Sequence, residues 1–102
     1  MGLRQSSAAA KMWRIVWSDE ARENLAAAKD YIAEFSEGAA RRFAIRVVNL
    51  TDSLETMPDR GRPVRPGVRE LTSIRPYVIR YIVLEAEVRI MTIRHAAVKP
   101  DP

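Results

Sequence analysis

The sequence predicts a single α+β domain in the order β-α-α-β-β-β, a helical hairpin packed on one face of a mostly antiparallel sheet. Three observations carry this expectation. The stretch MWRIVW alternates its large apolar residues with a period of two, two following segments repeat apolar residues at spacings of three and four, and three strand-like runs come after a break rich in Pro and Gly.

Residues 1–11, MGLRQSSAAAK, carry neither periodicity and read as a flexible N-terminal extension, so the domain is expected over 12–100. In the first strand Trp13, Ile15 and Trp17 share a face that the helices should cover. Ser18 is a natural N-cap, with Asp19 and Glu20 in the first turn where the helix dipole favours negative charge. Ala21, Leu25, Ala28, Ile32 and Phe35 then form one apolar stripe, predicting a helix over 19–35. Ser36 and Glu37 open a second helix, whose stripe of Ala40, Phe43, Val47, Leu50, Leu54 and Met57 runs to Pro58. So short a connection makes the pair an antiparallel hairpin.

PDRGRPVRPG is expected to be a loop, because three Pro and two Gly in ten residues disfavour regular pairing. Strands follow at 68–74, 77–84 and 88–94, the last two joined by a tight turn at EAE. The run YVIRYIVL is almost wholly apolar and belongs inside the sheet. Tyr77, Ile79, Tyr81 and Val83 lie on one of its faces and Val78, Arg80, Ile82 and Leu84 on the other, so one face of the sheet must carry Arg80.

With 102 residues and 47% hydrophobic composition, the chain supports one core. Cysteine is absent, which excludes disulfides, thiol catalysis and Cys-based zinc sites; with a single His, neither a metal nor a cofactor is expected. No apolar run approaches the ~20 residues that span a bilayer, so no membrane partner is expected and the cytoplasm is the expected location. The net charge is +4, from 14 Arg and 3 Lys against 13 acidic residues, and it is unevenly spread. Residues 18–57 hold eight acidic and five basic side chains, whereas Arg60 to Arg80 hold six Arg and one acid, Glu70. The basic half therefore offers a face for nucleic acid or for an acidic protein segment.

The element order resembles that of the ParE/RelE superfamily of type II toxin–antitoxin toxins. WSDEARENLAAAKDYIAE after the first strand, RGRPVRPGVREL before the sheet, and PYVIRYIV with VRIMTIRHAAVKP at the end carry this likeness across about residues 12–100. The resemblance implies the RelE-like fold and a small toxin of the plasmid-stabilization type, held by a cognate acidic antitoxin (ParD-like or other) in a hetero-oligomer. It also implies one of two targets. ParE-like members inhibit DNA gyrase, whereas RelE-like members enter the ribosome and cut mRNA as endoribonucleases. In the latter an Arg directly follows the aromatic of the middle strand and a Tyr often stands near the C-terminus. Here Val78 follows Tyr77, Arg80 comes two positions later, and Arg94, His95 and Lys99 close the chain with no Tyr beyond them. These departures favour the ParE-like branch and a gyrase inhibitor over an enzyme, with the nuclease as the alternative.

Arg80, Arg94 and His95 are the catalytic candidates of that alternative, since cleavage needs fixed cations for phosphate charge and a group that titrates near neutrality. A lone His at a strand end is, more simply, a hydrogen-bonding residue of the fold. For antitoxin or target binding the candidates are Arg60, Arg62 and Arg65 in the Pro/Gly loop, Arg80 and Arg94 on the sheet, and Ile45 and Val48, which lie off the core stripe of the second helix.

Overall fold

The computed structural model describes residues 12–97, so the N-terminal extension and Lys99 lie outside the described residues. Strand β1 (Arg14–Trp17) leads into α1 (Asp19–Ala33) and α2 (Glu37–Asp52), which ends in a 3₁₀ turn (Ser53–Glu55). Four strands follow: β2 (Arg62–Arg65), β3 (Val68–Leu71), β4 (Tyr77–Val83) and β5 (Glu87–His95). Among the described residues they form with β1 a five-stranded sheet in the order β1-β5-β4-β3-β2, in which only the β1–β5 pairing is parallel. No helix among the described residues is long and apolar enough to cross a membrane.

Both helices start as the sequence dictates. Ser18 Oγ accepts the Ala21 N–H at 2.9 Å and Ser36 Oγ accepts that of Ala39 at 3.1 Å. Ser18 Oγ also donates to the Met91 carbonyl at 2.8 Å, tying the start of α1 to β5. Beyond the end of β1, Asn24 Oδ1 accepts the Ile93 N–H at 3.0 Å and so satisfies an edge donor of β5 from the helix. Ala21, Ala28, Phe43, Val47 and Leu54 pack on Ile79, Tyr81, Val88, Ile90 and Ile93, with Trp13 and Trp17 partly buried against this core.

Four element boundaries differ from expectation. Residues 62–65 form a strand rather than a loop: Arg62 pairs with Glu70 and Pro63 with Arg69, and a register shift follows before Arg65 meets Val68. Pro is tolerated there because β2 is the outermost strand, where a missing N–H can face away from the ladder. The strand expected over 68–74 stops at Leu71, although Ile74 beyond it remains buried. Helix α1 ends at Ala33, leaving Phe35 73% exposed against the edge of Tyr31 instead of on the core stripe. Helix α2 ends at Asp52, where the hydroxyls of Thr51 and Ser53 donate to the Val48 and Leu50 carbonyls, at 3.0 and 2.6 Å, and compete with the helical ladder. Leu54 stays buried in the 3₁₀ turn, but Met57 is exposed.

An irregularity in β5 places the basic face. Tyr81 pairs with Ile90 and Arg80 with Thr92, so Met91 is an extra residue in the β5 strand. Simple alternation would put Ile90 and Arg94 on one face. With the bulge, Ile90 and Ile93 both face the core, while Arg94 joins Arg80 on the face away from the helices.

Tyr81 fixes the approach to β2. Fully buried, it accepts the Gly61 N–H and donates to the Pro58 carbonyl, both at 2.8 Å, and burial raises its phenol pKa above the ordinary value. Arg69 donates to the Gly61 and Asp59 carbonyls of the same loop, at 2.6 and 3.1 Å. Glycine is required at 61, because a Cβ would sit 2.7 Å from both the Glu70 carbonyl oxygen and the Tyr81 hydroxyl. Tyr81→Phe should cost about 1–3 kcal/mol by stranding the buried Gly61 N–H and the partly buried Pro58 carbonyl. Gly61→Ala should cost more, since backbone must move. Urea unfolding midpoints check both, and a Tyr81→Phe protein as stable as the parent would rule out the latch.

Candidate functional site on the open sheet face

On the face opposite the helices, β2 to β5 bring a carboxylate and three guanidiniums together. Glu70 has Arg62 as its register partner on β2 and Arg80 as its partner on β4. Glu70 Oε2 accepts from Arg80 Nε at 3.0 Å and Nη2 at 2.8 Å, and from Arg94 Nη2 at 3.4 Å, while Oε1 accepts from Arg62 Nη2 at 3.2 Å. The Glu70 side chain is only 4% exposed on a face that carries no helix among the described residues, those of Arg80 and Arg94 are about one-fifth exposed, and that of Arg62 lies open at the rim.

Burial by itself would raise the Glu70 pKa. The hydrogen bonds and charge of Arg80, the charge of Arg94 and the hydrogen bond from Arg62 outweigh that and hold the carboxyl below its ordinary value. One carboxylate cannot neutralise three guanidiniums, so the cluster keeps a positive excess. The Arg94 Nε and Nη1 are buried and find no hydrogen-bond partner among the described residues.

The remaining candidates are dispersed. Arg60 lines a groove of about 320 Å³ with Arg46, Asn49, Ser53 and Ser73, between α2 and the β3–β4 connection. Arg65 is exposed at the end of β2. Ile45 and Val48 are exposed on α2, at 52% and 42%. His95 pairs with Tyr77 in the register and meets its ring edge-on at 5.6 Å, on the helix side of the sheet and away from Arg94. Its Nδ1 accepts the Ala97 N–H at 3.1 Å. Arg80 and Arg94 are therefore brought together, and His95 is not brought to them. No group of His, Asp and Glu among the described residues is placed to hold a metal ion.

Sequence reasoning marks Glu70 only as a lone acid, counts Arg69 among the six Arg without naming it, and places Tyr81 on a strand face without giving it a role. A signal for Glu70 was present, because a single acid among six Arg between 60 and 80 is the natural centre of any cluster they form. Glu70→Gln should destabilise the fold by about 3 kcal/mol at neutral pH, since it leaves guanidiniums without their counter-charge. Because the folded-state pKa is depressed, the carboxylate's contribution is complete above its ordinary value of 4.5 and is lost as pH falls through the lower folded value. The stability gap between parent and variant, read by urea unfolding at pH 7 and pH 3, should therefore shrink in acid. A gap that is constant with pH contradicts the ion pairing.

The comparisons with known proteins agree with this architecture. The family described as "ParE toxin of type II toxin-antitoxin system, parDE" matches residues 15–100. The chain is 46% identical over 86 residues to "Toxin RelE2" of Caulobacter vibrioides, covering 84% of this chain and 98% of that protein. Among solved structures, that described as "Chromosomal ParDE TA system from P. aeruginosa" superposes with a TM-score of 0.70 at 26% identity, over 82% of this chain and 96% of the other. With its helical hairpin on a mostly antiparallel sheet and a family match over nearly the whole domain, this chain belongs to the ParE toxin family of type II toxin–antitoxin systems.

Proposed function

We propose that this toxin acts in the cytoplasm as an inhibitor of DNA gyrase and is neutralised there in a hetero-oligomer with a ParD-like acidic antitoxin. The observation that carries this reading is the separation of His95 from Arg80 and Arg94 by the thickness of the sheet. Cleavage of RNA through its 2′-hydroxyl needs one group to take a proton and another to give one. Arginine stays charged and does neither. Glu70 is a poor base, since its charged form is the one that Arg80, Arg94 and Arg62 stabilise. The open face is thus equipped to bind acidic groups rather than to move protons, which fits inhibition by protein–protein contact. Arg62, Arg65, Arg80 and Arg94 would meet acidic side chains of antitoxin or target, Arg60 would contribute from the helix side, and Ile45 and Val48 offer apolar contacts.

A second reading, a ribosome-dependent mRNA endoribonuclease, draws support from the name RelE2 of the Caulobacter relative and from the convergence of Arg80 and Arg94 on a single anion. One pair of assays separates the two. Under the gyrase reading, the protein stops supercoiling of relaxed plasmid by purified gyrase, antitoxin restores it, and His95→Ala keeps inhibition within about twofold. Unimpaired gyrase, together with mRNA cleavage in a translating ribosome that His95→Ala abolishes, would reverse the assignment.

A further inference from the structure

Two cavities adjoin on the helix side of the sheet, between α2 and the β3–β4 connection. One, of about 380 Å³, has an aromatic and aliphatic wall of Tyr31, Ile32, Phe43 and Tyr77, and Arg42 and Arg75 also line it. The other is the groove of about 320 Å³ that holds Arg60, and its wall is polar: Arg46, Asn49, Ser53 and Ser73 contribute. Arg46 and Ile74 belong to both walls, so the cavities meet at these two residues. Arg46 Nη2 reaches the Ser73 carbonyl at 3.5 Å, which sets its guanidinium at the junction and leaves its other donors open.

Positive charge is gathered here without compensation. Arg42, Arg46, Arg60 and Arg75 are exposed, none of them forms an ion pair among the described residues, and neither wall includes an Asp or Glu. Arg42 and Arg46 stand four apart on α2, where like charges repel, so their placement works against the helix.

We propose that the paired cavities form a site for a nucleoside diphosphate, with the base against the aromatic wall and the diphosphate running past Arg46 towards Asn49 and Arg60. Each cavity has the size of a small-ligand pocket. Accessible forked guanidiniums match phosphate oxygens, and those of Arg42 and Arg75 can also stack on a planar base. A single strand of nucleic acid fits less well, because its next base would need a second stacking platform. The neighbouring cavity offers Asn49, Ser53 and Ser73 in place of a ring.

The inference is independent of the gyrase reading, since it concerns a small ligand of the toxin itself, and the purified full chain tests it alone. ADP, adenosine, pyrophosphate and decauridylate are titrated into ¹⁵N-labelled protein while the Arg46 Nε–Hε and the Ser73 and Ile74 amide resonances are followed. ADP should shift all three saturably and bind at least about tenfold more tightly than adenosine or pyrophosphate, each of which engages one cavity alone. Arg46→Gln should weaken ADP about tenfold and Tyr31→Ala about fivefold, whereas Arg22→Gln, at the other end of α1, should leave its affinity unchanged. All three replaced side chains are exposed, so each variant should keep the amide spectrum of the folded parent. Absence of a saturable ADP shift, adenosine or pyrophosphate binding as tightly as ADP, unchanged affinity in both site variants, or equal weakening by Arg22→Gln overturns the site. Decauridylate binding at the same resonances more tightly than ADP overturns it too, by assigning the groove to RNA. If the site fails while gyrase is inhibited, the functional reading stands without it.

Discussion

A buried carboxylate on the side of the sheet that no helix among the described residues covers is the constraint around which this domain is arranged. Left alone on β3, Glu70 would be strongly unfavourable at 4% exposure. It is tolerated because β2, β4 and β5 each contribute a guanidinium, so the ion cluster crosses the same strands that the backbone ladder joins. The Arg80 and Arg94 side chains, each about one-fifth exposed, hold the carboxylate through their guanidinium groups, so this face is organised by ion pairs rather than by apolar packing. Such clusters add less to stability than they add to geometry: they fix where charges stand.

Two features of the fold exist in service of that geometry. The extra residue Met91 turns Arg94 away from the core while Ile90 and Ile93 stay within it. The Tyr81 hydroxyl, with Arg69, pins residues 58–61 so that the edge strand starts where Arg62 reaches Glu70. Helix-side packing and open-face charge are thus linked through one strand, β4, whose alternate residues Tyr81 and Arg80 serve the two sides. The toxin's surface charges are accordingly held by sheet register, which fixes their spacing.

Much of this was legible beforehand. Period-two and period-3.6 patterns located β1, both helices, β4 and β5, and the serines at 18 and 36 marked the caps. The element order followed from these patterns, and the family resemblance rested on that order together with whole motifs. What escaped was decided by tertiary context. Pro63 argued against a strand that an outer edge accommodates. Phe35 fitted a stripe that the helix left before reaching it, and Thr51 and Ser53 ended α2 through bonds that periodicity does not register. The basic cluster was foreseen as a list of arginines. Its centre was not, because pairing Glu70 with Arg62 and Arg80 requires the register, and bringing in Arg94 requires a bulge betrayed only by the three-residue spacing of Ile90 and Ile93. His95 illustrates the reverse: adjacency to Arg94 in sequence suggested a shared site, and strand alternation separates them.

The central claim is that Glu70 and the arginines act as one coupled unit, and a double-mutant cycle tests it most directly. Unfolding free energies of the parent, Glu70→Gln, Arg80→Met and the double variant would be measured in urea at neutral pH. The account predicts strong non-additivity, with a coupling of at least about 1 kcal/mol and a double variant more stable than the sum of the single losses implies. Additivity to within about 0.3–0.5 kcal/mol would mean that Glu70 and Arg80 are neighbours without being partners, and the basic face would have lost its organising charge.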